Sequence, residues 1–190
     1  MVKSIDNTDI KLLKEVAKGN MISFNELYLL YKDRVYNTAI GYVQNVDEAE
    51  ELTQDVFVTI FNSAYLFKEK SKVSTWIYRI TINKSLNRLK KITRVRNYNV
   101  EINDYHRIDF QHPGVIIENK EKSQYLFAAI KSLAEKQKTA FILSYVEGLP
   151  RQEVADIMDT TLKAIESLLQ RAKHNLRKIL ISDYFVENIK

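Results

Sequence analysis

Apolar residues recur along this chain at intervals of three and four, and nowhere alternate with polar ones for more than a few positions. That period predicts helices and leaves no place for a strand. The stretch 72–96 is the most informative. Wound at 100° per residue, it puts Tyr78, Ile82, Leu86 and Leu89 on one side. Lys84, Asn87, Arg88, Lys90 and Lys91 fall on the other, with Trp76 and Ile80 in line with them one and two turns earlier. Three helices are expected before it. The first, 6–17, has Ile10, Leu13 and Val16 or Ala17 as its apolar side and ends at Gly19-Asn20. The second starts from Ser23, with Glu26 completing a capping box. It carries a broad stripe of Phe24, Leu27, Leu30, Tyr31, Val35 and Ala39. The third, 47–62, is opened by the pair Asp47 and Glu50 and turns Ala49, Leu52, Val56 and Ile60 inward, with Phe57 and Phe61 beside them. Residues 63–74 form a loop whose aromatics, Tyr65 and Phe67, lie beside the basic face as a composition for stacking unpaired bases or else cap the core, the latter being expected for Tyr65.

After residue 93 the periodicity lapses. Mixed charge, several asparagines and Pro113-Gly114 mark 94–118 as a linker, because an unstructured stretch of that length is unusual inside one compact domain. The expected organisation is therefore all-α: two small helical domains, 1–93 and 119–190, joined by a flexible linker. Helical periodicity resumes over 121–133 and 135–147, the latter burying Ala140, Phe141, Leu143 or Ser144, and Tyr145. Gly148-Leu149-Pro150 turns the chain into a short helix, 151–158. Asp159-Thr160-Thr161 is a tight turn, and Thr161 caps a last long helix with an inner stripe of Leu162, Ile165, Leu169, Ala172, Leu176 and Ile179. Lys163, Ser167, Gln170, His174, Arg177 and Lys178 face out. Short helix, tight turn and long helix with a basic exterior make a helix-turn-helix, and small Ala155 lets its two helices approach closely.

Charge sharpens this picture. The chain carries 29 basic and 24 acidic residues, a net +5. Six of the basic residues lie in 84–96 with no acidic one among them, so the rest of the chain sums to −1. Between 163 and 178 the charge is +4. Concentrated basic faces take polyanions as partners. Between 45 and 60, by contrast, five acidic residues occur with no basic one. The helix dipole accounts for those in the first turns but poorly for Asp55, two turns in, so an acidic face for a basic partner is expected there. There is no cysteine, and His106, His112 and His174 are scattered, which leaves neither a disulfide nor a metal site to expect. No cofactor is expected. No carboxylate cluster, phosphate-cradling glycine loop or nucleophile–histidine pair suggests an enzyme. The first twenty residues lack the apolar core of a signal peptide, and no apolar run has the length of a membrane span, so a cytoplasmic protein with no membrane insertion of its own is expected.

Three motifs then carry a resemblance. AEELTQDVFVTIF (49–61), TWIYRITIN (75–83), and LAEKQKTAFILSYVEGLPRQEVADIM followed by ESLLQRAKHNLRKIL occur in one order and at one spacing. Together they resemble a bacterial RNA polymerase sigma factor of the extracytoplasmic-function (ECF) group, over nearly the full chain. The resemblance implies core RNA polymerase and promoter DNA as partners, with an anti-sigma factor as inhibitor. It implies that Glu51, Gln54 and Asp55 bind the coiled coil of the polymerase's largest subunit. Ser63, Phe67, Ile80 and Asn83 would line a pocket for a base flipped from the minus-10 element, since a base cannot be read by its pairing edge while stacked. Arg79, Lys84, Arg88, Lys90 and Lys91 would hold the phosphates of the opened strand. Lys163, Glu166, Ser167, Gln170, Arg171 and Lys173 would meet the minus-35 major groove, and Trp76 would be structural.

The chain departs from the family pattern in two places. The glycine common in the helix-turn-helix turn is Asp159 here, and Glu166 and Leu168 stand where basic residues are common. Leu168 lies toward the core and is expected to pack; Glu166 either accepts from a cytosine amino group or only steers by repelling phosphate. The competing expectation is a stand-alone helix-turn-helix regulator, which would leave the N-terminal acidic and basic faces without a role.

Overall fold

The computed structural model describes residues 2–98 and 120–187, and their side chains over 8–94 and 126–181. Every regular element among them is helical, and they gather into two compact units. The expected linker lies outside the described residues from residue 99 onward; over 94–98 the helix that precedes it continues, ending at Tyr98.

The N-terminal unit consists of α1 (Val2–Ala17), α2 (Met21–Val43), α3 (Val46–Ser63), a 3₁₀ turn (Ala64–Leu66) and α4 (Val73–Tyr98). Leu13 and Val16 of α1, Leu27, Tyr31 and Val35 of α2, Val56, Phe57 and Ile60 of α3, and Val73 and Ile77 of α4 form one buried cluster. Each such side chain contributes about 1.5–3 kcal/mol when fully buried. Phe24 sets its ring edge-on to both Phe57 and Phe61, with centroids 6.4 and 5.2 Å away. Two polar devices fix α4 and α1 against this core. Thr81 and Ser85 of α4 are buried and donate their hydroxyls to the carbonyls of Ile77 and Thr81, at 2.9 and 2.8 Å. They bring no unsatisfied group inside, and their small size lets helices approach. Tyr31 donates its hydroxyl to the buried carboxylate of Asp9, tying α2 to α1.

Two helices begin earlier than the sequence expectation, each behind an asparagine cap. Asn20, not Ser23, caps α2: its side-chain oxygen accepts from the Ile22 and Ser23 amides at 2.9 and 3.1 Å. Asn45, not Asp47, caps α3, accepting from the Glu48 amide at 2.9 Å. Gln44, at φ 54, ends α2 in the left-handed region and passes the chain directly into that cap. Leu30 is 54% exposed. It sits about 120° around α2 from the centre of the buried stripe at helical spacing, so including it in that stripe is corrected.

The C-terminal unit consists of α5 (Lys120–Ser132), α6 (Glu135–Phe141), a π-helical turn (Ile142–Val146), α7 (Arg151–Ile157) and α8 (Leu162–Glu187). Helices α5, α6 and α7 all pack on α8, through its buried Ile165, Leu169, Ala172 and Leu176. The expected single helix 135–147 is thus two pieces. The wider π turn rotates the following side chains relative to α-helical spacing. Ile142 and Leu143 turn inward, while Tyr145, expected in the core, is 42% exposed. Gly148, at φ 65, lets the chain leave this turn, and the Leu149 amide reaches the Leu143 carbonyl at 3.0 Å. Lys138 donates to the Lys131 carbonyl at 2.7 Å near the end of α5; burial, then the Lys131 charge, pushes its pKa down from the ordinary lysine value.

Replacing Asn45 with alanine removes the side-chain partner of the Glu48 amide in the first turn of α3. It is expected to cost about 1 kcal/mol. Urea denaturation followed by circular dichroism measures it; an unchanged midpoint would mean that water serves this amide equally well.

Candidate polymerase and nucleic-acid interfaces

The N-terminal unit displays its acidic helix α3 and basic helix α4 side by side, because both bury one face in the same core. On α3, Gln54 and Asp55 are exposed, with Asp47 and Glu50 exposed nearer its start. Glu51 is exposed too but is engaged: with Glu48, it accepts hydrogen bonds from Arg88 of α4. The Arg88 side chain is only 16% exposed, and those two bonds, Glu51 first, hold its guanidinium above its already high ordinary pKa. Arg88 was expected on the free basic face together with Lys84 and Lys91; instead it reaches across to α3. Its distance along the chain from Glu48 and Glu51 hid that pairing from any reading of one helix at a time. Lys90 and Lys91 are exposed and Lys84 and Arg79 half-buried.

At the start of α4 the residues expected to form a base pocket lie along the rim of the core. Phe67, Trp76 and Ile80 are partly buried against the same hydrophobic cluster, and the rings of Phe67 and Trp76 are 5.6 Å apart. Trp76 is therefore packed, as the structural role requires. Ser63 ends α3, half-buried, with its hydroxyl donated to the Thr59 carbonyl at 2.6 Å, and Asn83 is exposed one turn beyond Ile80. Tyr65 does not cap the core: it is 70% exposed.

In the C-terminal unit, α7 and α8 are joined by a turn in which Asp159 adopts φ 51. Glycine takes that conformation without strain, and aspartate is among the few other residues that tolerate it, so the fold survives this departure from the pattern. The Thr160 amide reaches the Ala155 carbonyl at 3.0 Å, and the Thr161 hydroxyl accepts from the Ala164 amide at 3.2 Å, capping α8 as expected. Ala155 is fully buried where α7 meets α8. Lys163, Glu166, Gln170 and Arg171 are exposed on α8. Arg171 donates to the Ser167 hydroxyl at 2.9 Å, and Lys173 lies over the ring of Tyr145 with its ammonium 4.8 Å from the centroid. Glu166 faces Arg151 of α7 at 3.6 Å, an exposed and hence weak ion pair. Arg151 was not singled out from the sequence; only the helix-turn-helix geometry brings it to the start of α8. Leu168 is half-buried, in keeping with packing.

No group of acidic or histidine side chains that could hold a metal occurs among the described residues, and no helix there is long and apolar enough to cross a membrane. The family described as Sigma-70 region 2 matches residues 27–95, and that described as Sigma-70, region 4 matches residues 123–176. The chain belongs to the RNA polymerase sigma factors of the ECF group. It is 28% identical to the ECF RNA polymerase sigma factor SigW of Bacillus subtilis, over 90% of this chain and 95% of that one. It is 29% identical to the ECF RNA polymerase sigma-E factor of Escherichia coli K12, over 87% and 91% respectively. Its fold is similar to that of the sigma factor RpoE of Bartonella quintana, solved with the anti-sigma factor NepR, with a TM-score of 0.61 at 23% identity over 84% of this chain and 98% of the other. Region 2 thus spans most of α2, all of α3 and most of α4, and region 4 the helix-turn-helix from within α5 to within α8.

The pairing of Arg88 gives this sigma factor a residue whose loss should unfold before it misreads. Arg88→Ala is expected to lower stability by about 1–2 kcal/mol, since charge-assisted hydrogen bonds contribute more than neutral ones but both carboxylates remain partly solvated. Lys91→Ala, at an exposed site, should change it by less than about 0.5 kcal/mol. Thermal melting of the two variants makes the comparison; equal melting temperatures would return Arg88 to the free basic face.

Proposed function

We propose that this sigma factor binds core RNA polymerase through α3, brings it to promoters through both units, and helps to open the minus-10 element on α4. The observation that carries this reading is the presence, in one chain and in family order, of region 2 with adjoining acidic and basic faces and of region 4 with a basic helix-turn-helix. A stand-alone regulator would need only the second. Gln54 and Asp55, both exposed on α3, are proposed to dock on the coiled coil of the largest subunit, with Glu51 contributing from its bridge to Arg88. Ser63, Phe67, Ile80 and Asn83 are proposed to take an unpaired base of the minus-10 element. Lys84, Lys90 and Lys91, with Arg79, are proposed to hold phosphates without reading sequence, while Arg88 acts mainly by joining α4 to α3. At the minus-35 element, Lys163, Ser167, Gln170 and Arg171 are proposed to enter the major groove, with Glu166 steered by Arg151 and Lys173 at the edge beside Tyr145. The domain limits proposed are 1–93 and 119–190, with 94–118 between them. The Bartonella quintana sigma factor was solved with an anti-sigma factor, and an inhibitor of that kind is proposed here as the third partner.

Run-off transcription with core polymerase on a promoter library tests the whole reading: transcripts that need both the chain and the core enzyme support it. A gel shift in which the chain alone binds duplex DNA with full specificity would favour the regulator.

Gln54→Ala combined with Asp55→Lys should weaken binding to core polymerase about 10- to 100-fold, because a charge reversal at an interface replaces attraction by repulsion. Melting should be nearly unchanged, both side chains being exposed. Normal affinity of the double variant would remove these residues from the interface.

Reading and holding should fail differently. Lys84→Ala or Lys91→Ala should weaken open-complex formation about equally on all minus-10 sequences and lower the salt slope by about one unit. Asn83→Ala should instead change which base is preferred at the flipped position, with little change in salt dependence. Permanganate footprinting across salt concentrations and the four bases separates the two; a changed preference in Lys91→Ala with a uniform loss in Asn83→Ala would reverse the roles.

A further inference from the structure

Glu166 puts a carboxylate on the helix proposed to lie against DNA. At helical spacing it stands at one edge of the outward face of α8 that Lys163, Ser167 and Gln170 share, and Arg171 stands at the other. A carboxylate beside phosphates costs affinity, because like charges at an interface repel. Arg171 does not relieve it, since its guanidinium donates to the Ser167 carbonyl and hydroxyl at 3.3 and 2.9 Å. The cation that does so comes from the other helix. Arg151, the first residue of α7, sets its Nη1 3.6 Å from Glu166 Oε1. Val154, Ala155 and Ile157 are buried on α7, and Ile165 and Leu169 on α8. With the Asp159–Thr161 turn between them, this burial fixes the two helices so that the fold itself brings the two charges together. Their side chains are 54% and 51% exposed. At 3.6 Å they attract but do not hydrogen-bond each other, so the guanidinium fork and the carboxylate keep their bonding capacity toward a ligand.

A donor fork beside a carboxylate oxygen is complementary to one kind of base pair. In the major groove guanine presents two acceptors, O6 and N7, and its cytosine presents an amino donor next to them. O6 and that amino group are hydrogen-bonded to each other at about 2.9 Å, close to the spacing at which Arg151 and Glu166 stand. Thymine in guanine's place keeps one acceptor, and its adenine keeps an amino donor, but a methyl group stands where the second acceptor was. Adenine or cytosine there sets an amino donor against the guanidinium and a carbonyl acceptor against the carboxylate. A phosphate would be served by Arg151 but would leave Glu166 repelled. We propose that Arg151 and Glu166 together read one G·C pair of the minus-35 element, the guanidinium on guanine O6 and N7 and the carboxylate on the cytosine amino group. The proposal rests on the reading of the C-terminal unit as the minus-35 binder. Arg151 is then a specificity-determining residue, and the first helix of the helix-turn-helix supplies the cation that position 166 lacks on the second.

The test uses holoenzyme reconstituted from the full chain and core polymerase, on duplex promoter fragments in which each minus-35 base pair is replaced in turn by the others. Competition binding across salt concentrations gives the affinities. Wild-type holoenzyme should prefer G·C over A·T at one position by about 5- to 100-fold, the scale of one bidentate contact. 7-Deazaguanine at that position, which lacks the N7 acceptor, should bind less well. Arg151→Ala and Glu166→Ala should each flatten the preference at that position and at no other, and the double variant should flatten it no further. 7-Deazaguanine should cost Arg151→Ala nothing. Arg151→Lys, which keeps the charge but not the fork, should lose the preference with the salt slope unchanged. If Arg151→Ala weakens all sequences equally and lowers the salt slope by about one unit, Arg151 is a phosphate contact and the proposal is overturned. Preferences altered at different positions by the two variants, or altered by neither, would overturn it as well. Each of these results leaves the minus-35 reading standing while other base pairs of the element still matter. A wild-type holoenzyme indifferent to every minus-35 base pair would remove that reading and this one together. Both side chains are exposed and their ion pair is weak, so the variants should melt as wild type does, which separates these outcomes from misfolding.

Discussion

Helix α4 must satisfy two surroundings at once, and the rest of the N-terminal unit is built around that constraint. Its inner side has to close the core, which Val73, Ile77, Tyr78 and Ile82 do as apolar groups and Thr81 and Ser85 do as small polar ones bonded back to their own helix. Its outer side carries more positive charge than the chain carries net. Like charges in successive turns repel and weaken a helix. Arg88 relieves this by leaving the row and entering hydrogen bonds with Glu48 and Glu51, so that one cation is neutralised and α4 is fixed to α3 by the same contact. The acids of α3 also lie near its N-terminus, where the helix dipole favours them. A single charged cluster thereby joins the acidic face of α3 to the basic face of α4.

The C-terminal unit solves a simpler problem. Helix α8 supplies the inner stripe on which α5, α6 and α7 all rest, so its outer face is fixed in direction by four buried residues at helical spacing. What must be exact there is the turn before it. The chain achieves it with Asp159 in a left-handed conformation, the Thr160 amide returned to the Ala155 carbonyl and Thr161 as cap. The absence of the glycine common at this turn shows that the geometry, not the residue, is the requirement.

Periodicity made the helices and most of the core legible. Leu13, Leu27, Val35, Val56, Ile60, Ile165 and Leu169 were assigned inward from spacing alone and are buried. Errors arose where a local rule met a competitor. Asn20 and Asn45 displaced Ser23 and Asp47 as caps because α2 and α3 already begin at Met21 and Val46, which puts Ser23 and Asp47 inside the first turn. The π turn changed the phase after Phe141, so Tyr145 came out where α-helical spacing put it inside. Pairings between elements were beyond a one-helix view: Arg88 with Glu48 and Glu51, Arg151 with Glu166, and Lys173 with Tyr145 join residues separated by 15 or more positions.

Placement of charge against aromatic surface also bears on how such a small unit can open DNA without an energy source of its own. Unstacking a base costs a few kcal/mol, and the cost must be met by whatever receives it. Phosphate contacts lower the energy of paired and unpaired strands alike, since both carry the same backbone, so the lysines proposed to make them on α4 would raise affinity without by themselves favouring the open state. Only surfaces that require an unstacked base discriminate. The groups proposed to do so in this unit are Phe67 and Ile80, partly buried along the core rim. Their further burial under a base would make part of the opening energy available only once the strands have separated.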